Sequence, residues 1–160
     1  MAFLTVANSS QYADGASIML LSSMEMLNFF RYRNIEPMAR ILAIATDSRD
    51  PSEFPIAPVG AIQKVCAKAG IPLHRVDFFE INEAFATEPI LSMRELEIEH
   101  RRMNVWGGAI ANGHPLGASG TKILGNLCYI LQHMRARYGI AVACNAGGEA
   151  VAVLIENWRI

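Results

Sequence analysis

The chain has three cysteines in 160 residues, Cys66, Cys128 and Cys144, far apart and in no CxxC pair. An odd, dispersed set argues against a disulfide framework and for a reducing compartment, and leaves open whether that is mitochondrial or cytoplasmic. Long apolar runs are also missing. None reaches the roughly 18 residues that a membrane-spanning helix needs, and the opening MAFLTVANSSQYADG has neither the basic region of a signal peptide nor an arginine-rich transit pattern. Charge is sparse, 18% of residues with a net charge of −1, which removes the electrostatic case for nucleic acid or an anionic membrane. His74, His100 and His133 have no ligand spacing, so no side-chain metal site is read. The run GHPLGASG lacks the Lys-Ser/Thr of a phosphate loop, and GASGT lacks the last glycine of a nucleophile elbow.

Apolar residues, by contrast, are plentiful at 52%. In one ordinary domain, that excess implies a sheet covered by helices on both faces, or an exposed apolar surface that expects a partner. Along the chain, elements alternate. Ala16 to Ser23 is a short apolar run predicted as a buried strand, and Met24 to Asn34 has helical spacing. Pro37 to Arg49 reads as a second strand, and Asp50 to Pro58 as a turn-rich connector. Val59 to Gly70 reads as a helix closed by Gly70. The stretch VDFFEINEAFA starts as a strand and turns helical near Asn82, with Pro89 bending or restarting the helix. Met103 to Ala111 reads as a glycine-broken strand, and Gly117 to Gly139 as the longest helix, apolar at Ile123, Leu124, Leu127, Ile130 and Leu131. Two strands about a glycine turn, IAVACNAGG and EAVAVLIEN, close the chain. The alternation predicts an α/β fold with a mixed sheet.

Ligands of such sheets gather at the C-terminal ends of strands. Three polar residues fall at those places: Asn82 after FFEI, His114 after GGAIAN, and Cys144 after IAVA. Each has a plain structural reading, as a helix N-cap, a hydrogen-bonded structural histidine and a small core residue respectively. What sets them apart is that all three sit beside glycines or at strand–helix junctions, where backbone N–H groups can face a ligand. Around His114 the segment NVWGGAIANGHPLGASG is crowded with glycine, which implies special backbone angles or close backbone approach. Cys66 and Cys128 lie within helical patterns and read as core.

Three motifs in order, NEAFA, GGAIANGHPLGASG and CNAGGEA, resemble the C-terminal motifs of the thiolase family. ANSSQYADGA resembles the segment that opens the thiolase C-terminal domain, and FPIAPV is similar to the acetoacetyl-CoA branch. The resemblance covers essentially all of residues 1–160. It implies a thiolase-like domain with a five-stranded mixed sheet and helices on both faces. The implied chemistry is acyl transfer to and from coenzyme A: two acetyl-CoA condensing to acetoacetyl-CoA, or thiolysis in reverse.

The same resemblance implies the roles. His114 activates the nucleophile and donates to the thioester oxygen, and Asn82 holds a water in that oxyanion hole. Cys144 is the general acid/base, for which a lowered pKa is expected. Ala84 and Phe85 line the pantetheine channel. Ala146 and Gly147 belong to the CNAGG substrate turn, with Ala146 standing where the family usually has glycine. A potassium ion on the backbone of Val6, Ala7, Ser9 and Ile110 is implied as well, and no other cofactor, coenzyme A being a substrate. The family's nucleophilic cysteine belongs to an N-terminal domain that is absent here, so the resemblance implies a C-terminal half, inactive without that partner and homo-oligomeric in the complete enzyme. The alternative is a non-catalytic thiolase-like protein that binds acyl-CoA or full-length subunits.

Overall fold

In the computed structural model, which describes residues 4–160, the apolar runs assemble into a four-stranded sheet. Its strands are β1 (Ala39–Ser48), β2 (Phe78–Ile81), β3 (Tyr138–Cys144) and β4 (Glu149–Asn157), in the order β1-β4-β3-β2. β4 runs antiparallel to both neighbours, while β2 and β3 are parallel. The helices are α1 (Leu27–Tyr32), α2 (Ala57–Ala69), α3 (Thr87–Leu96), α4 (Ala109–Asn112) and α5 (Leu116–Met134). The mixed α/β architecture stands, but with four strands rather than the five expected.

Of the six strand segments read from the sequence pattern, two are absent for local reasons. Ala16 to Ser23 is irregular and exposed, with Ile18 at 96% accessibility. Its residues have no ladder neighbour, so an apolar run alone does not make it a strand. Met103 to Ala111 makes one bridge, between Met103 and Phe79, before Gly107 turns the chain at φ 83°. Beyond that bridge the Asn104 side chain takes over the ladder, accepting from Ile81 N–H at 2.8 Å and donating to Ile81 O at 2.9 Å.

Strand alternation then builds two cores. Ile140, Val142, Ala152 and Leu154 pack with Ile62, Val65 and Cys66 of α2 on one face. Ala141, Val153 and Ile155 meet Ile123, Leu127 and Leu131 of α5 on the other. Each fully buried Leu or Ile is worth about 1.5–3 kcal/mol of transfer free energy, so this double facing dominates the stability of the sheet. Gly139 lies in β3, where a Cβ would press on the Leu127 side chain at 2.7 Å. It therefore serves close helix–sheet packing rather than ending α5. α5 stops instead at Arg135, in the left-handed region at φ 51°, with Asn157 Nδ2 donating to Leu131 O and Ala136 O.

The other helix ends place the site. Gly70, at φ 67°, closes α2 as expected. α3 does not grow out of Asn82; it starts at Thr87. Pro89 lies in its first turn, where the missing N–H would have had no partner, so it neither bends nor restarts the helix. Residues 82–86 are thereby left as a non-helical connection between β2 and α3.

Candidate active site

β2 ends at Ile81 and β3 at Cys144; because these strands are parallel neighbours, Asn82 and Cys144 emerge from the same end of the sheet. His114 arrives from the α4–α5 connection, its N–H bonded to Gln11 O at 2.8 Å. The three residues line one cleft of about 570 Å³, together with Ala84, Phe85 and Ala146. Gly147 does not line it. The Gly147 N–H turns into its own hairpin loop, donating to Asn145 Oδ1 at 2.8 Å.

His114 is held at both ring nitrogens. Nδ1 lies 2.6 Å from Ser119 Oγ, and Nε2 lies 3.3 Å from Asn82 Nδ2. The single hydrogen of Ser119 is within reach of Pro115 O at 3.2 Å. With that hydrogen on Pro115 O, Nδ1 carries the imidazole proton and Nε2 is a bare acceptor for the Asn82 amide. Burial, helped by the positive charge of Lys122, holds His114 below the ordinary histidine range, so the ring is neutral at pH 7. A neutral imidazole with a bare Nε2 is suited to taking a proton from a nucleophile.

The base of the cleft differs from expectation. Cys144 is half-buried, and its thiol is pushed up to about 12, first by burial and then by the charge of Glu88. The lowered value expected of a resting thiolate is not found. Glu88 is completely buried, and burial lifts its carboxyl to about 7. Glu88 Oε2 accepts from Phe85 N–H and Thr87 Oγ1, both at 3.1 Å, while Oε1 accepts from Cys144 Sγ at 4.0 Å.

The glycine-crowded loop is tied by Glu83, whose carboxylate accepts from Asn104 Nδ2 at 2.7 Å and from Ile110 N–H at 3.1 Å. A Cβ on Gly108 would fall inside that carboxylate, and Gly113 (φ 80°) lies against Ala13. By contrast, a Cβ on Gly117 or Gly120 would meet nothing within 4 Å. The glycines that matter thus admit a carboxylate and a neighbouring loop. Behind the site, Glu80 and Asn82 line a cavity of about 10 Å³, the size of one water. Glu80 Oε1 and Asn82 Oδ1 are both buried and unpartnered by protein atoms.

Sequence reasoning missed Glu88, Glu83, Ser119 and Asn104 as parts of this site. Ser119 follows His114 by five residues on the first turns of α5, a spacing that could have flagged it. Glu88 in a first helical turn reads as an exposed, dipole-complementing acid, and nothing local reveals its burial. Of the expected potassium positions, Val6 and Ala7 lie in a 3₁₀ turn, Ser9 is bridged to Phe85, and Ile110 bonds Glu83 through its N–H. Among the described residues, no cluster of three or more His, Cys, Asp or Glu side chains could hold a metal ion.

Residues 35–157 match the family model described as thiolase, C-terminal domain. The chain belongs to the thiolase family. It is 42% identical over 154 residues to a probable acetyl-CoA acetyltransferase of Dictyostelium discoideum and 43% identical to the mitochondrial acetyl-CoA acetyltransferase B of Xenopus laevis. Both alignments cover 96% of this chain and 36% of the relative, so this thiolase chain spans about a third of the length of the curated relatives it matches. The crystal structure of the Bacillus anthracis acetyl-CoA acetyltransferase superposes with a TM-score of 0.90 at 34% identity, over 96% of this chain and 38% of that one. Human mitochondrial 3-ketoacyl-CoA thiolase in complex with CoA gives 0.84 at 37% identity, with the same coverage.

Proposed function

We propose that this chain is the C-terminal catalytic half of a thiolase that interconverts two acetyl-CoA with acetoacetyl-CoA and free coenzyme A. One observation carries the reading: Asn82, His114 and Cys144, far apart in sequence, line a single cleft with Ala84, Phe85 and Ala146. In that cleft the bare Nε2 of neutral His114 takes the proton of a nucleophilic cysteine located outside these 160 residues, since Cys66 and Cys128 are buried in α2 and α5. The acyl group passes to that cysteine as a thioester. The protonated Nε2, with Asn82 beside it, then donates to the thioester oxygen. Cys144, a thiol at rest, protonates the departing coenzyme A sulfur. The thiolate left behind removes the α-proton of the second acetyl-CoA. The resulting carbanion attacks the acyl-cysteine, the new carbon–carbon bond forms as the carbon–sulfur bond breaks, and the departing cysteine sulfur takes its proton back from His114 Nε2. Ala146 at the hairpin retains the backbone N–H that its position contributes to substrate, while adding a methyl group to the wall.

The partners of this reading are acyl-CoA and a thiolase N-terminal half, with a homo-oligomer for the complete enzyme. Its compartment is reducing, mitochondrial or cytoplasmic; several relatives are named as mitochondrial. Potassium on the Val6–Ser9 and Ile110 backbone belongs to the same reading, and a rise in melting temperature with potassium but not sodium would support it.

The test follows acetoacetyl-CoA loss on adding coenzyme A, first with this chain alone and then with the N-terminal half of a related thiolase. No turnover is expected alone. Turnover is expected on reconstitution, and Cys144→Ala or His114→Ala should cut it by about 10²–10⁴-fold. Failure to reconstitute, with retained binding to an intact thiolase, would favour a non-catalytic partner role instead.

A further inference from the structure

Glu88 is a fully buried acid that no charged side chain pairs among the described residues and that the reaction as drawn above does not use. Its geometry is one-sided. Oε2 is pinned by Phe85 N–H and Thr87 Oγ1, which fixes the carboxylate plane. Oε1 is left facing Cys144 Sγ, for which it is the hydrogen-bond acceptor. Phe85 itself is a cleft-lining residue, so the anchor that orients Glu88 belongs to the substrate channel.

We propose that Glu88 is the positioning residue of Cys144: its Oε1 holds the Sγ–H, so that the sulfur enters each cycle as a proton donor and becomes a base by giving that proton away. The inference rests on the thiolase reading for its meaning, but the contact is a property of this chain alone. In the first half-reaction the Sγ–H bond breaks, the proton goes to the departing coenzyme A sulfur, and the electron pair stays on Cys144. In the second half-reaction that pair takes the substrate α-proton and restores Sγ–H. The carboxylate gains and loses nothing in the cycle. Its negative charge makes the thiolate less stable and therefore a stronger base when it is needed.

The charges facing the pair agree with this. Burial raises both groups most, and the charges add to it: Glu83, from the β2–α3 connection, pushes Glu88 upward, and Glu88 in turn pushes Cys144 upward. Among the described residues, no cation acts on either group. With the thiol raised further than the carboxyl, the proton the pair shares rests mainly on sulfur.

The experiment is iodoacetamide alkylation of the 160-residue chain, with modification at Cys144 followed by peptide mass spectrometry and Cys66 and Cys128 serving as buried references. In the unsubstituted chain, thiolate formation competes with ionisation of Glu88. The Cys144 rate should therefore rise clearly less than tenfold per pH unit between about pH 7 and 9. Glu88→Gln, which keeps the shape and removes the charge, should raise the rate at pH 8 by about tenfold or more, equivalent to a drop of about one pKa unit, and restore a tenfold rise per pH unit. A Glu88→Gln rate equal to or below that of the unsubstituted chain would overturn the proposal. If the variant does not fold, an ordinary tenfold-per-unit slope in the unsubstituted chain would overturn it equally. Neither readout requires turnover, so loss of the thiolase reading and loss of this one are separable.

Discussion

His114 shows how a single side chain acquires a defined role through its neighbours. A free imidazole is partly protonated near neutrality and exchanges its tautomers. Here burial and Lys122 keep it neutral, and Ser119 takes the Nδ1 side. Removing that hydroxyl leaves Nδ1 unpartnered, a cost of about 1–3 kcal/mol. Ser119→Ala should therefore lower the melting temperature and mix the two tautomers, which ¹⁵N shifts of the ring would show directly. Gly108 makes the complementary point. It admits the Glu83 carboxylate that ties the loop to Asn104 and Ile110, so Gly108→Ala should cost about 2 kcal/mol in urea unfolding by breaking a half-buried network.

The helices separate glycines that propensity alone treats alike. In an open helix interior, alanine is preferred to glycine by about 0.8–1.0 kcal/mol. Gly125 in α5 has nothing within 4 Å of a would-be Cβ, so Gly125→Ala should stabilise the chain by about that amount. Gly60 in α2 has the opposite sign. A Cβ there would overlap Asp47 of β1, which is held by Lys64 at 2.6 Å and Arg49 at 3.0 Å. Overpacking costs about 1–3 kcal/mol, more than the propensity gain, so Gly60→Ala should lower the urea midpoint while Gly125→Ala raises it. The contrast is one of context: both glycines lie within helices, and only the sheet beneath α2 makes one indispensable.

At the scale of the whole molecule, two buried carboxyls set the pH response. Glu80 is raised to about 8 and Glu88 to about 7, in both cases chiefly by burial, from an ordinary value of 4.5. The folded chain thus binds these protons more tightly than the unfolded chain does. Their contribution is fully present below about pH 4.5 and is lost as pH rises to about 8. His114, whose pKa is lowered, pulls the other way near its ordinary 6.5, but it is one group against two larger shifts. Urea unfolding should therefore show stability falling by a few kcal/mol from pH 5 to pH 8.5, with Glu80→Gln flattening the decline. The surface has its own consequence. Ile18, Leu20, Leu21 and Phe29 precede the sheet as an exposed apolar band, and Ile41, Ile44 and Val151 stand exposed on β1 and β4. Exposed apolar surface of this kind suits contact with a protein partner, and the N-terminal half proposed above would cover it.

The sequence by itself determined whatever depends on neighbouring residues. Period and apolar runs marked β1, α2, α5 and the β3–β4 hairpin, because a strand or helix declares its buried face locally. Gly70 announced the end of α2 by the same logic. Asn82 and Cys144 were legible as candidates because they stand at the ends of β2 and β3, whereas His114, which follows α4 and not the strand expected there, was marked only by the glycines around it and by the motif resemblance. Tertiary structure decided the rest. It withheld a strand from Ala16 to Ser23, which has no ladder neighbour, and replaced a fifth strand near Met103 with the Asn104 side chain. It moved the end of α5 to Arg135, and it buried Glu88 against Cys144, reversing the expected direction of the thiol's pKa. Burial, ladder partners and the proximity of charges are relations between distant parts of the chain, and no local pattern contains them.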